Sequence, residues 1–398
     1  MQIAQPLFRF ATEEQQQVRG DRLPTSLPSS LLLWVSPPPP NPRKHSPAMG
    51  ASNSRPVTSK FTDGGETDRI NYAVSSVQGR CEKMEDACAA VPDLDGTKST
   101  SFFGVYDGHG GAEVALYCAR QFHNELVNDP NYQNNPANAM RSVFFRMDDL
   151  IQQSNEWREL VNPRGDGGFI PCLKTGVCAN VWPFNQEQAP EGSTACVVLI
   201  KDNQIIVGNA GDSRCVLSSN GQATDLSTDH KPNRSYESPR IERAGGHIVE
   251  NKLRGLGWVA LNGHLLPISR AIGDSIFKQN ENFPPEKQMV TCNPDIRTVD
   301  IDDNTKFLVI ASDGIWNILS SQLVVNHVHR CLRSGQTDLC VICEELIGRC
   351  LPSNDNMTVI LVQFKSVAGN PHPNPSVNTQ GTDAEIEDSN DDIQIQGP

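Results

Sequence analysis

The chain has 398 residues, of which 37% are hydrophobic, 20% charged and only 6% aromatic, with a formal net charge of −13. That length can bury one large core or two modest ones. The acidic balance argues against a nucleic-acid partner, which would require a basic face. The longest purely apolar run, Leu31 to Val35, is far too short to cross a bilayer. Acidic Glu13, Glu14 and Asp21 precede it, which makes it a poor signal-peptide core.

In chain order, residues 1–48 show no helical or strand periodicity and include Pro37 to Pro40, so 1–49 is expected to be a disordered extension. Apolar or β-branched runs predict strands at 71–78, 101–106, 194–201, 204–209, 214–218, 306–312 and 357–364. Asp202-Asn203 and Asn220-Gly221 read as hairpin turns. Helical spacing places Val114, Cys118, Phe122 and Leu126 on one face. Pro136 suits the first turn of a second helix, with Met140, Val143, Phe144, Met147, Leu150 and Ile151 on its apolar side. A third helix follows Ser320-Ser321 with Leu323, Val324, His327, Val328 and Cys331. A fourth carries Leu339, Ile342, Cys343, Leu346, Ile347 and Cys350. The stretch 163–190 is polar, Gly/Pro-rich and aperiodic, and reads as a surface insertion. Residues 366–398 contain six Asp/Glu and no Lys/Arg and read as a disordered acidic tail. Between the two ends lies one domain, 50–365. Hairpin turns imply antiparallel strands, and helices that come singly or in pairs favour an α+β fold over a doubly wound parallel sheet. The 12 cysteines show no disulfide rhythm and are expected as reduced, core-facing thiols. Cys340 and Cys343 form the sole CxxC, inside a helical pattern and without a second pair at zinc spacing.

Acidic residues recur at the ends of the apolar strands. Phe102 to Tyr106 runs into Asp107-Gly108-His109-Gly110-Gly111, Ile205 to Gly211 into Asp212, and Phe307 to Ser312 into Asp313-Gly314. Asp355-Asn356 precedes Met357 to Val362, and Met84-Glu85-Asp86 follows the first strand. Carboxylates converging on one sheet rim repel one another unless a cation neutralises them. With no Cys/His ligand set beside them, an oxygen-rich Mg²⁺ or Mn²⁺ site is expected rather than zinc.

Taken together, these pieces resemble the metal-dependent type 2C family of Ser/Thr protein phosphatases, in particular its plant members. The resemblance also rests on Gln78-Gly79, Gly192-Ser193-Thr194-Ala195, Asn209-Ala210-Gly211-Asp212-Ser213-Arg214, Asp229-His230-Lys231-Pro232, Ser269 to Asp274, Asn293-Pro294-Asp295, Ala311 to Trp316 and Asp355-Asn356-Met357-Thr358, in the family's order. It implies a four-layer α/β/β/α sandwich of two antiparallel sheets flanked by helices, with metals at one edge. It also implies roles. Asp107 would bridge two ions, the carbonyl of Gly108 would bind one of them, Glu85 would complete one ion's ligands, and Asp313 and Asp355 would hold the other. Asp86 would orient water near the metals. Asp212 would serve a weaker third ion. A water activated by the two metals would attack phosphorus in line, and His109 would protonate the leaving Ser/Thr oxygen. Phosphorylated proteins are the implied substrates, and a monomer located in cytoplasm, nucleus or both is expected.

Three features bear on how the family's pattern is met. The family usually places an arginine, which grips the substrate phosphate, where this chain has Cys81. Arg80 stands one residue earlier and is the phosphate-binding candidate, although on an extended strand a one-residue shift would reverse its face. Asn317 stands where the family has an aspartate that helps hold the third metal. These two departures support an alternative, a catalytically weak relative that binds phosphoproteins or a regulatory partner. Finally, Met49-Gly50-Ala51-Ser52-Asn53-Ser54 fits an N-myristoylation pattern, so initiation at Met49 would allow partial, reversible membrane contact.

Overall fold

Two six-stranded antiparallel sheets face each other in the computed structural model of the chain, which describes residues 32–34, 55–153, 157–158, 191–251 and 256–365. The first sheet has the order Leu32–Trp34, Ala87–Val91, Thr100–Tyr106, Ala195–Lys201, Gln204–Ala210, Asp295–Asp300. The second runs Gln222–Asp225, Arg214–Ser219, Thr305–Ala311, Met357–Phe364, Ile70–Val77, Phe61–Glu66.

The period-two alternation of a strand decides which layer each side chain enters. In Ile70–Val77, the residues Ile70, Tyr72 and Val74 point between the sheets, while Ala73 and Val77 face the outer helices. In Thr100–Tyr106, Phe103 and Val105 enter the inter-sheet core, and Phe102 and Tyr106 enter the opposite layer. Both faces of the central strands are therefore buried, which explains their near-continuous apolar sequence. Phe103 is fully buried, and burial of such a side chain contributes about 1.5–3 kcal/mol.

Helices Glu113–Asn128 and Pro136–Gln153 cover the first sheet through Val114, Cys118, Phe122, Leu126, Met140 and Phe144. Ser321–Arg333 and Leu339–Cys350 cover the second. Their starts are capped by side chains. The Ser320 hydroxyl accepts a hydrogen bond from the Leu323 amide, and the Asp338 carboxylate accepts one from the Cys340 amide. A smaller lobe joins helix Ser238–Arg243 to the hairpins His247–Asn251, Leu256–Leu261 and His264–Leu266 around Ile241, Val259, Phe277 and Met289.

The two expected hairpin turns are present. Asn220 and Gly221 both adopt positive φ, at 51° and 81°, and Asp202 does so at 55°. The structure adds strands that the sequence pattern does not announce. Ala87–Val91 is alanine-rich, and Phe61–Glu66 contains Gly64-Gly65; both compositions are poor in strand formers. They are held by pairing, Ala87–Val91 beside Thr100–Tyr106 and Phe61–Glu66 beside Ile70–Val77. Leu32–Trp34 pairs with the backbone of Cys88, Ala89 and Ala90, although its surroundings carry no strand signal. Leu323, placed on an apolar helix face by its spacing, is 55% exposed. The remainder of the N-terminal extension, the 163–190 insertion, the Met49-Gly50 motif and the 366–398 tail lie outside the described residues.

Candidate metal centre and active site

The strand order brings three chain turns to one rim of the sandwich. Asp107 follows Thr100–Tyr106 directly, Asp212 follows Gln204–Ala210 after one glycine, and Asp313 follows Thr305–Ala311 after one serine. Oxygens from these three carboxylates lie within 4.8 Å of one another. Asp313 Oδ1 is buried with no hydrogen-bond partner among the described residues. Burial pushes the carboxyl groups of Asp107 and Asp313 well above the usual carboxylate range, and the charges of neighbouring acids push them further. Burial likewise raises Asp86, to about 7, while the Ser312 hydroxyl donates to its Oδ2 at 2.8 Å. Glu85 is also raised, mainly by burial.

Among the described residues, Lys231 Nζ answers this charge by pairing with Asp212 Oδ2. A crowded, partly unpaired set of hard oxygen donors fits divalent cations such as Mg²⁺ or Mn²⁺. Of the expected ligands, Asp212 falls inside the tightest group together with Asp107 and Asp313, rather than at its margin. Asp355 acts on it electrostatically from a flanking loop, and the same charge raises Glu85. Gly108 packs against the Glu85 carbonyl so closely that a Cβ could not fit.

Asn356 holds these loops in register. Its Oδ1 accepts from the Glu85 amide at 2.8 Å, and its Nδ2 donates to the carbonyls of Gln78 and Lys83, both at 2.9 Å. Gly314 admits this arrangement, because any side chain there would collide with the Asn356 carbonyl. Asn356 and Lys231 both lie inside recognisable motifs, but nothing in their spacing marks them as a loop staple and a counter-charge.

The region of Arg80 lies beyond the strand. Strand Ile70–Val77 ends before it, and Arg80 lies in a turn that follows Gly79, whose φ is +64°. The strand rule that would reverse its side chain does not apply there. Cys81 Sγ lies 3.2 Å from the Asn354 carbonyl and 3.5 Å from Asp355 Oδ1, so a thiol faces the Asp355 carboxylate. Burial, followed by the charge of Asp355, pushes that thiol up to about 12. Asn317 ends the short helix Asp313–Trp316, and its amide donates to the Asp313 carbonyl at 2.8 Å.

His109 stands beside the carboxylates. Its Nε2 lies 2.8 Å from Asp274 Oδ2, and the Asp274 side chain is fully buried. Burial alone would lower the histidine, but the Asp274 carboxylate outweighs it and the net shift is upward. A side chain at Gly192 would run into both groups. The turn carrying Asp274 is braced by Asp148, whose Oδ1 accepts from the Gly273 amide at 2.8 Å and from Lys278 Nζ at 2.6 Å.

A double antiparallel sandwich with a rim of crowded carboxylates and a histidine–carboxylate pair defines a metal-dependent hydrolase. The chain belongs to the protein phosphatase 2C family, whose model matches residues 70–357. It is 52% identical over 353 residues to probable protein phosphatase 2C 21 of Oryza sativa subsp. japonica, covering 86% of this chain and 99% of that one. It is 44% identical over 356 residues to probable protein phosphatase 2C 21 of Arabidopsis thaliana, covering 82% and 94%. The fold matches a serine-threonine phosphatase 2C from Toxoplasma gondii with a TM-score of 0.61 at 19% identity, over 78% of this chain and all of the other. The chain is thus a metal-dependent protein serine/threonine phosphatase.

Proposed function

We propose that the chain hydrolyses phosphoserine and phosphothreonine in proteins using two Mg²⁺ or Mn²⁺ ions, with a third held more weakly. The convergence of Asp107, Asp212 and Asp313 within 4.8 Å, with one buried oxygen left unpartnered, carries this reading. Asp107, the Gly108 carbonyl, Glu85, Asp313 and Asp355 would hold the two ions, and Asp212 the third. Bound there, the ions would supply positive charge to the phosphoryl group and acidify water at neutral pH.

The chain's own residues supply the rest. His109 holds a proton that it can give to the departing Ser/Thr oxygen, and Asp274 favours the protonated ring and fixes its orientation. Asp86, buried behind the rim and hydrogen-bonded by Ser312, orients what binds in front of it. Arg80, free of the strand's alternation, is the candidate to meet substrate phosphate. Phosphate release from a phosphothreonine peptide should require Mn²⁺ or Mg²⁺ and should cease in EDTA. Full turnover in EDTA would overturn the proposal, and metal-saturated protein that binds the peptide without releasing phosphate would favour the weak-catalyst alternative. For location, we propose cytoplasm or nucleus, with reversible membrane contact where Gly50 is acylated. Mass spectrometry of the native N-terminus tests the acylation.

A further inference from the structure

The outer helices of the second sheet carry a group that the phosphatase reaction does not use. His327 and Cys331 are four residues apart on Ser321–Arg333 and so share one face. Glu345 reaches them from Leu339–Cys350. The three donor atoms form a nearly equilateral triangle. Cys331 Sγ lies 3.6 Å from His327 Nε2 and 3.5 Å from Glu345 Oε2, and Nε2 lies 3.5 Å from Oε2.

These spacings have a chemical meaning. Tetrahedral zinc binds thiolate sulfur at about 2.3 Å and imidazole nitrogen or carboxylate oxygen at about 2.0–2.1 Å, which sets ligand-to-ligand edges of about 3.3–3.6 Å. All three observed edges match that range. Two of the three donors, the thiolate and the imidazole, are the soft and borderline types that select zinc over Mg²⁺ or Mn²⁺. We propose that His327 Nε2, Cys331 Sγ and Glu345 Oε2 form a zinc site that ties the two outer helices together, with the fourth position open to water. The His327 side chain is 4% exposed and that of Glu345 52%, so the site is anchored on one side and reachable on the other.

Loading follows a balanced exchange of protons. The Cys331 thiol releases one proton to solvent and binds as thiolate. Arg330 Nη2 donates to His327 Nδ1 at 3.0 Å, which places the ring proton on Nε2, toward Glu345. Binding through Nε2 moves that proton to Nδ1, and Arg330, an exposed side chain, gives up the contact. Burial, with help from Arg349 and Arg330, already lowers His327 to about 4, so the ring is neutral and available at physiological pH. Thiolate and carboxylate together balance the dication.

The test uses the full chain stripped of metal, with Co²⁺ as a spectroscopic stand-in and Zn²⁺ alone as the competing probe. Thiolate bound to Co²⁺ gives a near-ultraviolet charge-transfer band that oxygen ligands do not. Because Cys81 also lies near a metal ligand, Cys81→Ser is included. The band is expected in the wild type and in Cys81→Ser, absent from Cys331→Ser, and bleached by Zn²⁺. Glu345→Gln, at a half-exposed position, should weaken Zn²⁺ at least tenfold, since loss of even a ligand's hydrogen-bond partner costs about 10–100-fold. Matched circular dichroism of metal-free wild type and Cys331→Ser shows that the helices persist. No band in the wild type, a band unchanged in Cys331→Ser, or a band lost only in Cys81→Ser would overturn the site. These readouts do not depend on phosphatase turnover.

Discussion

Neutralising Asp313 should stabilise the metal-free protein while it abolishes metal-dependent activity. Three half-buried to buried carboxylates share a space in which their oxygens lie within 4.8 Å. At that separation two unit charges repel by about 3.5 kcal/mol with an effective dielectric of 20. The group escapes part of this by retaining protons, which is why burial and neighbouring charge hold Asp107 and Asp313 so high. Keeping a carboxyl protonated at pH 7 costs at most about 4 kcal/mol, at ~1.4 kcal/mol per pH unit above its ordinary value. Lys231 offsets a further share at Asp212. Asp313→Asn keeps the shape and removes the charge, so a gain of about 1–3 kcal/mol is expected without metal. For a domain of this size that is a rise in Tm of roughly 2–8 °C. The assay is thermal unfolding in EDTA and in millimolar Mn²⁺. Wild type should gain stability from Mn²⁺ and the variant should gain little, because metal affinity is lost with the ligand. A variant Tm in EDTA equal to or below that of wild type would refute the repulsion argument. The same argument fixes a pH dependence. Asp86 at about 7, with Asp107 and Asp313 also raised, has a folded value above its unfolded value near 4. The contribution of Asp86 is fully present below about pH 4 and is lost as pH rises through about 7, and those of Asp107 and Asp313 run in the same direction. Metal-free wild type should therefore lose Tm between mildly acidic and neutral pH, and Asp313→Asn should flatten that slope.

Asp274→Asn removes the charge that raises His109; the alkaline limb of the kcat profile should move to lower pH, and an unmoved limb would exclude His109 as the acid. Cys81→Arg places a guanidinium beside Asn354 and Asp355, and should lower KM for a phosphopeptide with a smaller change in kcat; an unchanged KM would indicate that Arg80 already occupies the phosphate position. Asn317→Asp adds a charge next to Asp313, and should shift Mn²⁺ activation to lower concentration; superimposable metal titrations would remove that role.

The carboxylates were legible because the chain announces its central strands so plainly. A strand buried on both faces reads as an unbroken apolar run, so Asp107, Asp212 and Asp313 stand out at the ends of theirs. The groups that make the rim work were harder to read. Lys231, Asn356 and Asp274 lie in turns without periodicity, and their roles depend on which turn meets which across the sandwich. Cys81 shows the limit most clearly. A rule for strands left open which way Arg80 faces, and that rule does not govern a residue in the turn after Gly79, past the end of its strand. Two further strands were hidden for a related reason. Ala87–Val91 and Phe61–Glu66 form because a neighbour offers a hydrogen-bonding ladder, and no pattern within their own residues records that neighbour.

The outer-helix cluster follows the same logic at a second location. The spacing of His327 and Cys331 places both on one helical face, and this is readable from sequence. By itself it fits a packed histidine beside a reduced thiol, the ordinary reading of buried Cys/His pairs. What changes the reading is Glu345, which arrives from the next helix. Its register against the first helix is set by the packing of Val324, Val328, Leu346 and Ile347 on the sheet below. One turn of slippage, about 5.4 Å along the helix axis, would carry the carboxylate beyond reach of the other two donors. The core that covers the second sheet therefore also fixes the three donor edges, and a variant that shifts this packing should alter zinc affinity before it alters the distant carboxylate rim.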